Sequence, residues 1–364
     1  MNSIIEKLQR EEKPLTSVVE KDEFIVASET AFDCLFDGTS TFYPWKLPST
    51  LPKQFKIGVI VGSSGSGKST LLKHFGLEEQ PTWDDNKSII SHFENPEDGI
   101  NRLSSVGFNS IPSWYKPYSV LSNGEKFRAD LARKITSNAV IDEYTSVVDR
   151  NVARAASVAL SRYVKNNDVT NIVISTCHMD VVEWLEPDWV INTDTGELMD
   201  GFFFVRPEIN VKVYRTTNDG WGMFKDHHYL DSSINKASRC YVAVWEDTVI
   251  GFLSSITMPS GTLKNAWRGH RVVVLPDFQG MGIGVRFIEA VAQIHLDEGH
   301  RFFSRSSHPK MYDYMIKSNK WKPTSKNKKL RTDVTHDKLF NNHYVDNKRI
   351  CGSFEYIGEI KKEV

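Results

Sequence analysis

The sequence predicts two domains of different class, an α/β domain over residues 1–204 and an α+β domain over residues 205–364. Three observations carry this. The chain has 364 residues, more than one core ordinarily needs. It holds two strand, glycine-loop, helix segments of different design, built on GSSGSGKST and QGMGIG. Its charge also inverts. Up to residue 204, about 20 Lys and Arg face about 29 Asp and Glu, and beyond it about 25 face about 17, although the formal net charge is only -1. The seam falls at GELMDGFFFVRPEIN, where a turn at Thr195 and Gly196 precedes an apolar burst and Pro207.

Composition narrows the class. Hydrophobic residues make up 40% and charged residues 25%, ordinary values for a globular protein. No apolar run approaches the roughly 18 residues of a membrane span, so no membrane partner is expected. The start, MNSIIEKLQREEKP, has no apolar core with a cleavage site, and a cytoplasmic location is expected. Cys34, Cys177, Cys240 and Cys351 lie too far apart for a paired metal or disulfide spacing.

In the first half, the β-branched run FKIGVIVG reads as a buried parallel strand and leads directly into GSSGSGKST and the helical LLKHF. Over Gly62, Ser63, Ser64, Gly65, Ser66, Gly67, Lys68, Ser69 and Thr70, glycines let backbone N–H groups curl around a β-phosphate at a helix N-terminus. Lys68 reaches the β- and γ-phosphates, and the Ser69 hydroxyl can ligate magnesium. This is the signature of an α/β P-loop NTPase, with ATP and Mg2+ as expected cofactors.

Three further segments resemble the ABC ATPases, over about residues 24–199. LSNGEKFRADLAR resembles their signature segment, with Ser122 and Gly124 where that family meets the γ-phosphate of ATP held by an opposite subunit, and Asn123 where a glycine is usual. NAVIDEYTSVVD ends a short apolar strand at two acids. The resemblance implies that Asp142 is the magnesium-side acid, Glu143 the catalytic base, and Ser146 to Asp149 a dimer-contacting loop. NIVISTCHMD ends at His178, which matches the family's γ-phosphate-sensing histidine. A helix cap, a solvated loop and a structural histidine are the ordinary readings of each segment alone. Tyr43 is placed to stack on adenine, with Phe42 and Trp45 near enough to compete and core packing as the other reading. About fifty residues separate Lys68 from Leu121, so the helical subdomain with which transporters grip a membrane partner looks trimmed. No glutamine stands at the usual distance after the loop, and the expected SIISHF strand offers only Ser91 and His92.

The second half reads as a strand at INVKVYR, a short helix over residues 221–230, and two strands in RCYVAVWEDTVIGFLSSI turning at Glu246 and Asp247. A strand from His270 to Leu275, three spaced glycines and an amphipathic helix follow. Their amides can approach a pyrophosphate at the helix N-terminus. Val274, Pro276, Phe278, Gln279, Gly280, Gly282, Ile283 and Gly284 resemble the acyl-CoA site of the GNAT N-acyltransferases, over about residues 209–323. That resemblance implies an acyl-CoA such as acetyl-CoA, held by the backbone of Val272, Val273 and Val274 and by Gln279, Gly280, Met281, Gly282, Ile283 and Gly284. The family's usual tyrosine acid falls on Ile316. Tyr312, Tyr314 and, as a base, His270 are the nearby candidates, each with a structural reading beside it.

From Arg301 to Arg331, about ten basic residues face one acid, with Tyr312, Tyr314 and Trp321 interleaved. This is either a DNA or RNA contact or a solvated loop meeting the 3′-phosphate of CoA. The tail KRICGSFEYIGEI looks like a closing strand pair. The expectation is a nucleotide-dependent homodimer that couples ATP hydrolysis to acyl transfer onto an amine, foremost on a nucleic-acid base. The alternatives are a regulatory ATPase whose GNAT-like domain only binds a ligand, and an acetyltransferase for protein lysine or a small amine.

Overall fold

The computed structural model describes residues 4–228, 233–259, 261–330 and 350–358. In chain order the strands are β1 Ile4–Lys7, β2 Leu15–Val18, β3 Thr39–Phe42, β4 Ile57–Val61, β5 Val140–Ile141, β6 Ile172–Thr176, β7 Trp189–Asn192 and β8 Glu197–Asp200. They continue with β9 Lys212–Thr216, β10 Arg239–Trp245, β11 Thr248–Thr257, β12 Ala266–Val274, β13 Arg301–Ser306, β14 Trp321–Pro323, β15 Lys329–Leu330 and β16 Ile350–Tyr356. The helices are α1 Glu23–Phe32, α2 Lys68–Leu72, α3 Pro96–Ser105, α4 Ile111–Trp114, α5 Asn123–Lys134, α6 Arg150–Asn166, α7 Val182–Leu185, α8 Ile283–Asp297 and α9 Pro309–Lys317.

The chain divides into two compact units. One comprises Met1–Val106 and Pro117–Pro207, the other Gly107–Lys116 and Glu208–Val364. The second unit thus recruits a ten-residue excursion from within the span expected to be one domain, 1–204, and its main part begins at Glu208. A single cut in the sequence does not describe this division.

In the first unit, six strands run in the order β1-β8-β7-β4-β6-β5. β4 is parallel to both β6 and β7, and all five residues of β4 and of β6 are buried. Strands covered on both faces read as unbroken apolar runs, which is why IGVIV and IVIST were legible. α6 buries Val152, Ala155, Ala156, Val158, Ala159, Leu160 and Val164 on one broad face, and Asp149 caps it through the N–H groups of Asn151 and Val152. Each large apolar side chain so buried contributes on the order of 1.5–3 kcal/mol.

In the second unit, the sheet runs β14-β16-β13-β12-β11-β10-β9, with β15 also on β16. Glu246 and Asp247 both take positive φ, the two-residue hairpin turn that joins β10 to β11. The parallel pair β12 and β13 is the feature that matters for the site. Their register runs only from Ala266↔Arg301 to Arg268↔Phe303. Beyond it β12 continues through Val274, paired to β11 alone among the described strands.

Several expected elements take another form. SIISHF is not a strand but a 3-10 turn at Ile89–His92, in which the His92 ring accepts the Asp84 N–H and contacts the Ser88 carbonyl oxygen. The short helix expected over residues 221–230 is two 3-10 turns, Asn218–Met223 and Lys225–His227, and its end lies outside the described residues. The tail is a single strand, β16, that bridges β13 and β14, and its first and last expected residues lie outside the described ones. Among the described residues no helix is long and apolar enough to cross a membrane.

Candidate functional site

The first glycine loop joins β4 to α2. Gly67 caps α2 at φ 99°, where a side chain would be strained and would drive its Cβ to 2.6 Å from Phe42 Cζ. At Gly65, by contrast, a Cβ would meet nothing within 4 Å, so the loop opens onto free space where a phosphate fits. The turn between β7 and β8 anchors it. Asp194 accepts from the Ser63 N–H at 2.9 Å and the Ser63 hydroxyl at 2.7 Å, and Ser66 Oγ lies 2.6 Å from Thr193 Oγ1. The Ser63 hydroxyl and amide, with Lys68 nearby, hold the Asp194 carboxyl below the usual carboxylate range. Lys68 Nζ donates to the Ser63 carbonyl oxygen at 2.7 Å, so its charge already lies across the loop. The sequence reading missed Thr193 and Asp194. Their signal, NTDTG, is an ordinary turn until the sheet brings it beside the loop.

The other nucleotide-side candidates sit in the same unit. Ser122 caps α5 in a capping box, accepting the Glu125 N–H while Glu125 accepts the Ser122 N–H at 3.0 Å. This leaves Asn123 and Gly124 as the first residues of α5, their amides at its positive end. At the end of β5, Asp142 accepts the Ser175 hydroxyl and the Glu143 N–H. Glu143 is exposed and held at φ 49°, and Thr145 follows at φ 67°. Two left-handed non-glycine residues within DEYT concentrate strain where chemistry is expected.

Thr145 Oγ1 donates its one proton to the Tyr144 carbonyl oxygen at 2.6 Å, so the His178 Nδ1 at 3.0 Å from that hydroxyl is the donor. A neutral His178 therefore carries its lone pair on Nε2. Burial, followed by the Arg150 charge, lowers its pKa and favours the neutral ring. Of the aromatics near adenine, Trp45 packs into the core beneath the Arg10 guanidinium and Phe42 lies against Gly67, whereas Tyr43 stays exposed. Of the two residues offered in place of a glutamine, Ser91 contacts Ser88 at 2.8 Å and His92 is bound locally.

In the second unit, the loop after β12 repeats the same device with different fastenings. Gly282 caps α8 at φ 78°, and Gly280 precedes it at φ 91°. Phe278, Met281 and Ile283 are buried, so those side chains anchor the loop and leave its backbone to face outward. Gln279 Nε2 donates to the Val274 carbonyl oxygen at 2.8 Å, tying the loop to the strand end. Val273 is buried, while Val272 and Val274 are partly covered along the stretch of β12 that β13 no longer accompanies. A strand edge that its parallel neighbour leaves, beside a helix N-terminus, suits a ligand with amide groups and a pyrophosphate, and both features of an acyl-CoA fit.

The acyl-transfer candidates separate. His270 lies where the β11/β12 register slips between Ser254↔Arg271 and Ser255↔Gly269, and its Nε2 accepts the Asn235 N–H at 3.4 Å. The Tyr314 hydroxyl is committed to Glu289 at 2.9 Å, a buried carboxylate that also takes the Trp321 indole N–H at 3.1 Å. Burial, then the bond to Glu289, raises the Tyr314 pKa and keeps it protonated. Tyr312 packs against Phe354, with Lys328 over its ring at 4.8 Å. The sequence reading also missed His308, which caps α9 just beyond β13. Its Nδ1 is buried without a partner, and burial, then Lys310, lowers its pKa.

Of the three aromatics expected to stack bases, only Tyr314 keeps an exposed ring. Trp321 is 4% exposed and Tyr312 is packed. Arg301 is paired to Glu355 through two bonds of 2.6 and 2.8 Å. Arg305, Lys310, Lys317, Lys322 and Lys326 remain exposed, and Arg331 lies outside the described residues. Among the described residues no group of three or more His, Cys, Asp or Glu is placed to hold a metal by itself.

Residues 207–309 match the Acetyltransferase (GNAT) family. The N-terminal region is similar to the energy-coupling factor transporter ATP-binding protein EcfA1 of Caldanaerobacter subterraneus subsp. tengcongensis, 26% identical over 228 residues that cover 49% of this chain and 80% of the relative. Among solved structures, the dimeric post-hydrolysis state of the ATP-binding cassette MJ0796 with ADP and Pi has 14% identity and a TM-score of 0.35, covering 54% of this chain and 94% of its own. The IAA acetyltransferase of Bacillus cereus ATCC 14579 has 14% identity and a TM-score of 0.30, covering 40% and 99%. Residues 207–309 thus carry a GNAT-type acetyltransferase domain, and the region before them is similar in sequence to an ABC-type ATP-binding protein.

Proposed function

We propose that the protein uses ATP binding and hydrolysis to control acyl transfer from acetyl-CoA, or a related acyl-CoA, to an amine. The observation that carries this reading is the presence of two loops on one chain, each ending in a left-handed glycine that caps a helix, with open space beside Gly65 in the first. On the nucleotide side, the loop amides and Lys68 hold the ATP phosphates. Ser69 and, through water, Asp142 hold magnesium, which needs few protein ligands when phosphates supply the rest. Glu143 takes a proton from the attacking water as that water's oxygen bonds to the γ-phosphorus and the bond from this phosphorus to the β–γ bridging oxygen breaks, with ADP as the leaving group. Ser122 and Gly124 meet ATP held by a second copy, so the active state is a nucleotide-dependent homodimer.

On the acyl side, the backbone of β12 over residues 272–274 holds pantetheine, and the amides from Gln279 to Gly284 hold the pyrophosphate. The amine nitrogen forms its bond to the acyl carbon as the carbon–sulfur bond breaks. One proton leaves the amine and one reaches the departing thiolate. On this reading His270 or His308, the latter kept neutral by burial, takes the amine proton and Tyr312 supplies the thiolate's.

The acceptor favoured is an amine on a nucleic-acid base. It is supported by the exposed charges at Arg305, Lys310, Lys317, Lys322 and Lys326 rather than by stacking aromatics. Mass spectrometry of nucleosides and proteins from cells with the wild-type chain, a Glu143→Gln chain or none tests the reading. An acyl mark on nucleosides that needs wild-type protein is expected. An acyl mark found only on protein lysines or small amines would replace the acceptor, and none anywhere would overturn acyl transfer. A second reading, a regulatory ATPase whose GNAT-type domain only binds a ligand, is favoured by the Tyr314 hydroxyl being committed to Glu289. ATP-dependent consumption of acetyl-CoA would exclude it.

A further inference from the structure

The excursion Gly107–Lys116 belongs to the second unit, yet both its ends are continuous with the first. It follows α3 after one residue, and Lys116 precedes Ser122 by six positions. It is a folded element with its own anchor. Phe108 and Trp114 are buried at 1% and 3% exposure, and the Trp114 indole N–H donates to the Phe108 carbonyl oxygen at 2.8 Å. Together with α4 this makes a short compact arm.

The arm meets the acyl-CoA loop backbone to backbone. Gly107 sits at φ 78°, and a Cβ there would lie 2.6 Å from the Gln279 carbonyl oxygen and 3.4 Å from Gly280 Cα. Only glycine permits that approach without displacing the loop. The Asn109 N–H is shared between the Gly107 carbonyl oxygen at 3.1 Å and Gln279 Oε1 at 3.2 Å, while Gln279 Nε2 donates to the Val274 carbonyl oxygen. One amide side chain is therefore fixed at both ends, by the strand proposed to carry pantetheine and by the arm. The orientation of the loop amides depends on both.

The arm is not at its own hydrogen-bonding optimum. Among the described residues, Asn109 Oδ1 is buried without a donor. A buried acceptor left unpaired is costly, and a displacement of the arm that gave it a partner would recover part of that cost. Phe108 and Trp114 keep the arm folded, so a pull at its ends moves it as a unit against Gln279.

From these contacts we infer that Gly107–Lys116 is a positioning arm for the acyl-CoA site. Gly107 and Asn109 set Gln279 and the loop it begins, and the nucleotide state at Ser122 sets the arm. The inference rests on the acyl-CoA reading above and adds to it a physical route by which ATP acts. Neither residue touches the reacting atoms. Their effect is on how well the loop is formed when acyl-CoA arrives, so it appears in acyl-CoA affinity and its nucleotide dependence.

The test titrates CoA calorimetrically into the full-length chain, once with ADP and once with a non-hydrolysable ATP analogue and magnesium, for wild type, Gly107→Ala and Asn109→Pro. Wild type should bind CoA with affinities that differ by about fivefold or more between the two nucleotides. Gly107→Ala, which crowds the Gln279 carbonyl, should weaken CoA binding about fivefold to tenfold and erase the difference, with ATP affinity unchanged and unfolding lowered only by the few degrees that a strained residue costs. Asn109→Pro, which deletes the donor, should act in the same direction without the added Cβ at Gly107. A merely structural role would lower unfolding temperature and both affinities together, and that result overturns the inference. Wild-type CoA binding that is the same with both nucleotides, or that both variants retain, also overturns the arm while leaving the acyl-CoA reading intact. Absence of CoA binding by wild type would overturn both.

Discussion

The two glycine loops of this chain share one local design and differ in what fastens them. Both follow a strand, both place a left-handed glycine at the helix cap, Gly67 and Gly282, and both turn amides toward a helix N-terminus. The first is pinned by side chains from a neighbouring hairpin, with Asp194 on Ser63, Thr193 beside Ser66 and Lys68 folded across it. The second is held by buried Phe278, Met281 and Ile283 beneath it and by Gln279, which ties it to the end of its own strand. A loop pinned from a neighbouring hairpin is preformed, and one tied to its own strand end over an apolar base can be tuned. The first suits a nucleotide bound at every cycle, the second a ligand whose binding is controlled.

The largest effect expected from this contrast is on turnover. Lys68→Ala should lower ATP hydrolysis by about 100-fold or more, as loss of a transition-state charge does, measured by phosphate release, while CoA still binds. Gly282→Val should do the converse. A β-branched residue at φ 78° distorts the cap, so CoA affinity should fall by about tenfold or more with ATP hydrolysis retained. If either variant silenced both ligands, the loops would not be separable.

A smaller effect tests the fastening itself. Asp194→Ala removes the two bonds to Ser63 and should weaken ATP binding about fivefold, in line with the net worth of a hydrogen bond to a charged group. Unchanged affinity would show that the loop needs no anchor. The smallest effect concerns pH. Neutral His178 has Nε2 unprotonated and a pKa below the ordinary histidine value. A nearby γ-phosphate would raise that pKa, so the complex binds more protons than the free protein and ATP affinity should fall as pH rises. Between pH 6 and pH 8 a change of about twofold to threefold is expected, with proton uptake seen as a buffer-dependent binding heat, and His178→Ala should remove both.

Much of the fold was legible because its core strands are sequence-local patterns. The runs at β4 and β6 are apolar and β-rich, and GSSGSGKST and QGMGIG place Gly65, Gly67, Gly280 and Gly282 where φ is positive. What was not legible depends on pairing between distant segments. Nothing in NTDTG marks Asp194 as a loop anchor until β7 pairs with β4. Glu289 reads as one polar residue of an amphipathic helix, and only packing brings Tyr314 and Trp321 onto it. The segment Gly107–Lys116 carries no charge pattern or repeat, and its membership in the second unit follows from tertiary contact alone. SIISHF has the composition of a strand, but Ser88, Ser91 and His92 satisfy one another locally and close a 3-10 turn instead.

The central claim is that both loops serve one reaction. It is tested most directly by adding acetyl-labelled CoA to cell extract with the purified chain and following the label into nucleic acid, protein and small amines, with and without ATP. Labelling that requires ATP and is lost equally in Lys68→Ala and Gly282→Val is the predicted result. Labelling by Lys68→Ala at the wild-type level would contradict the account.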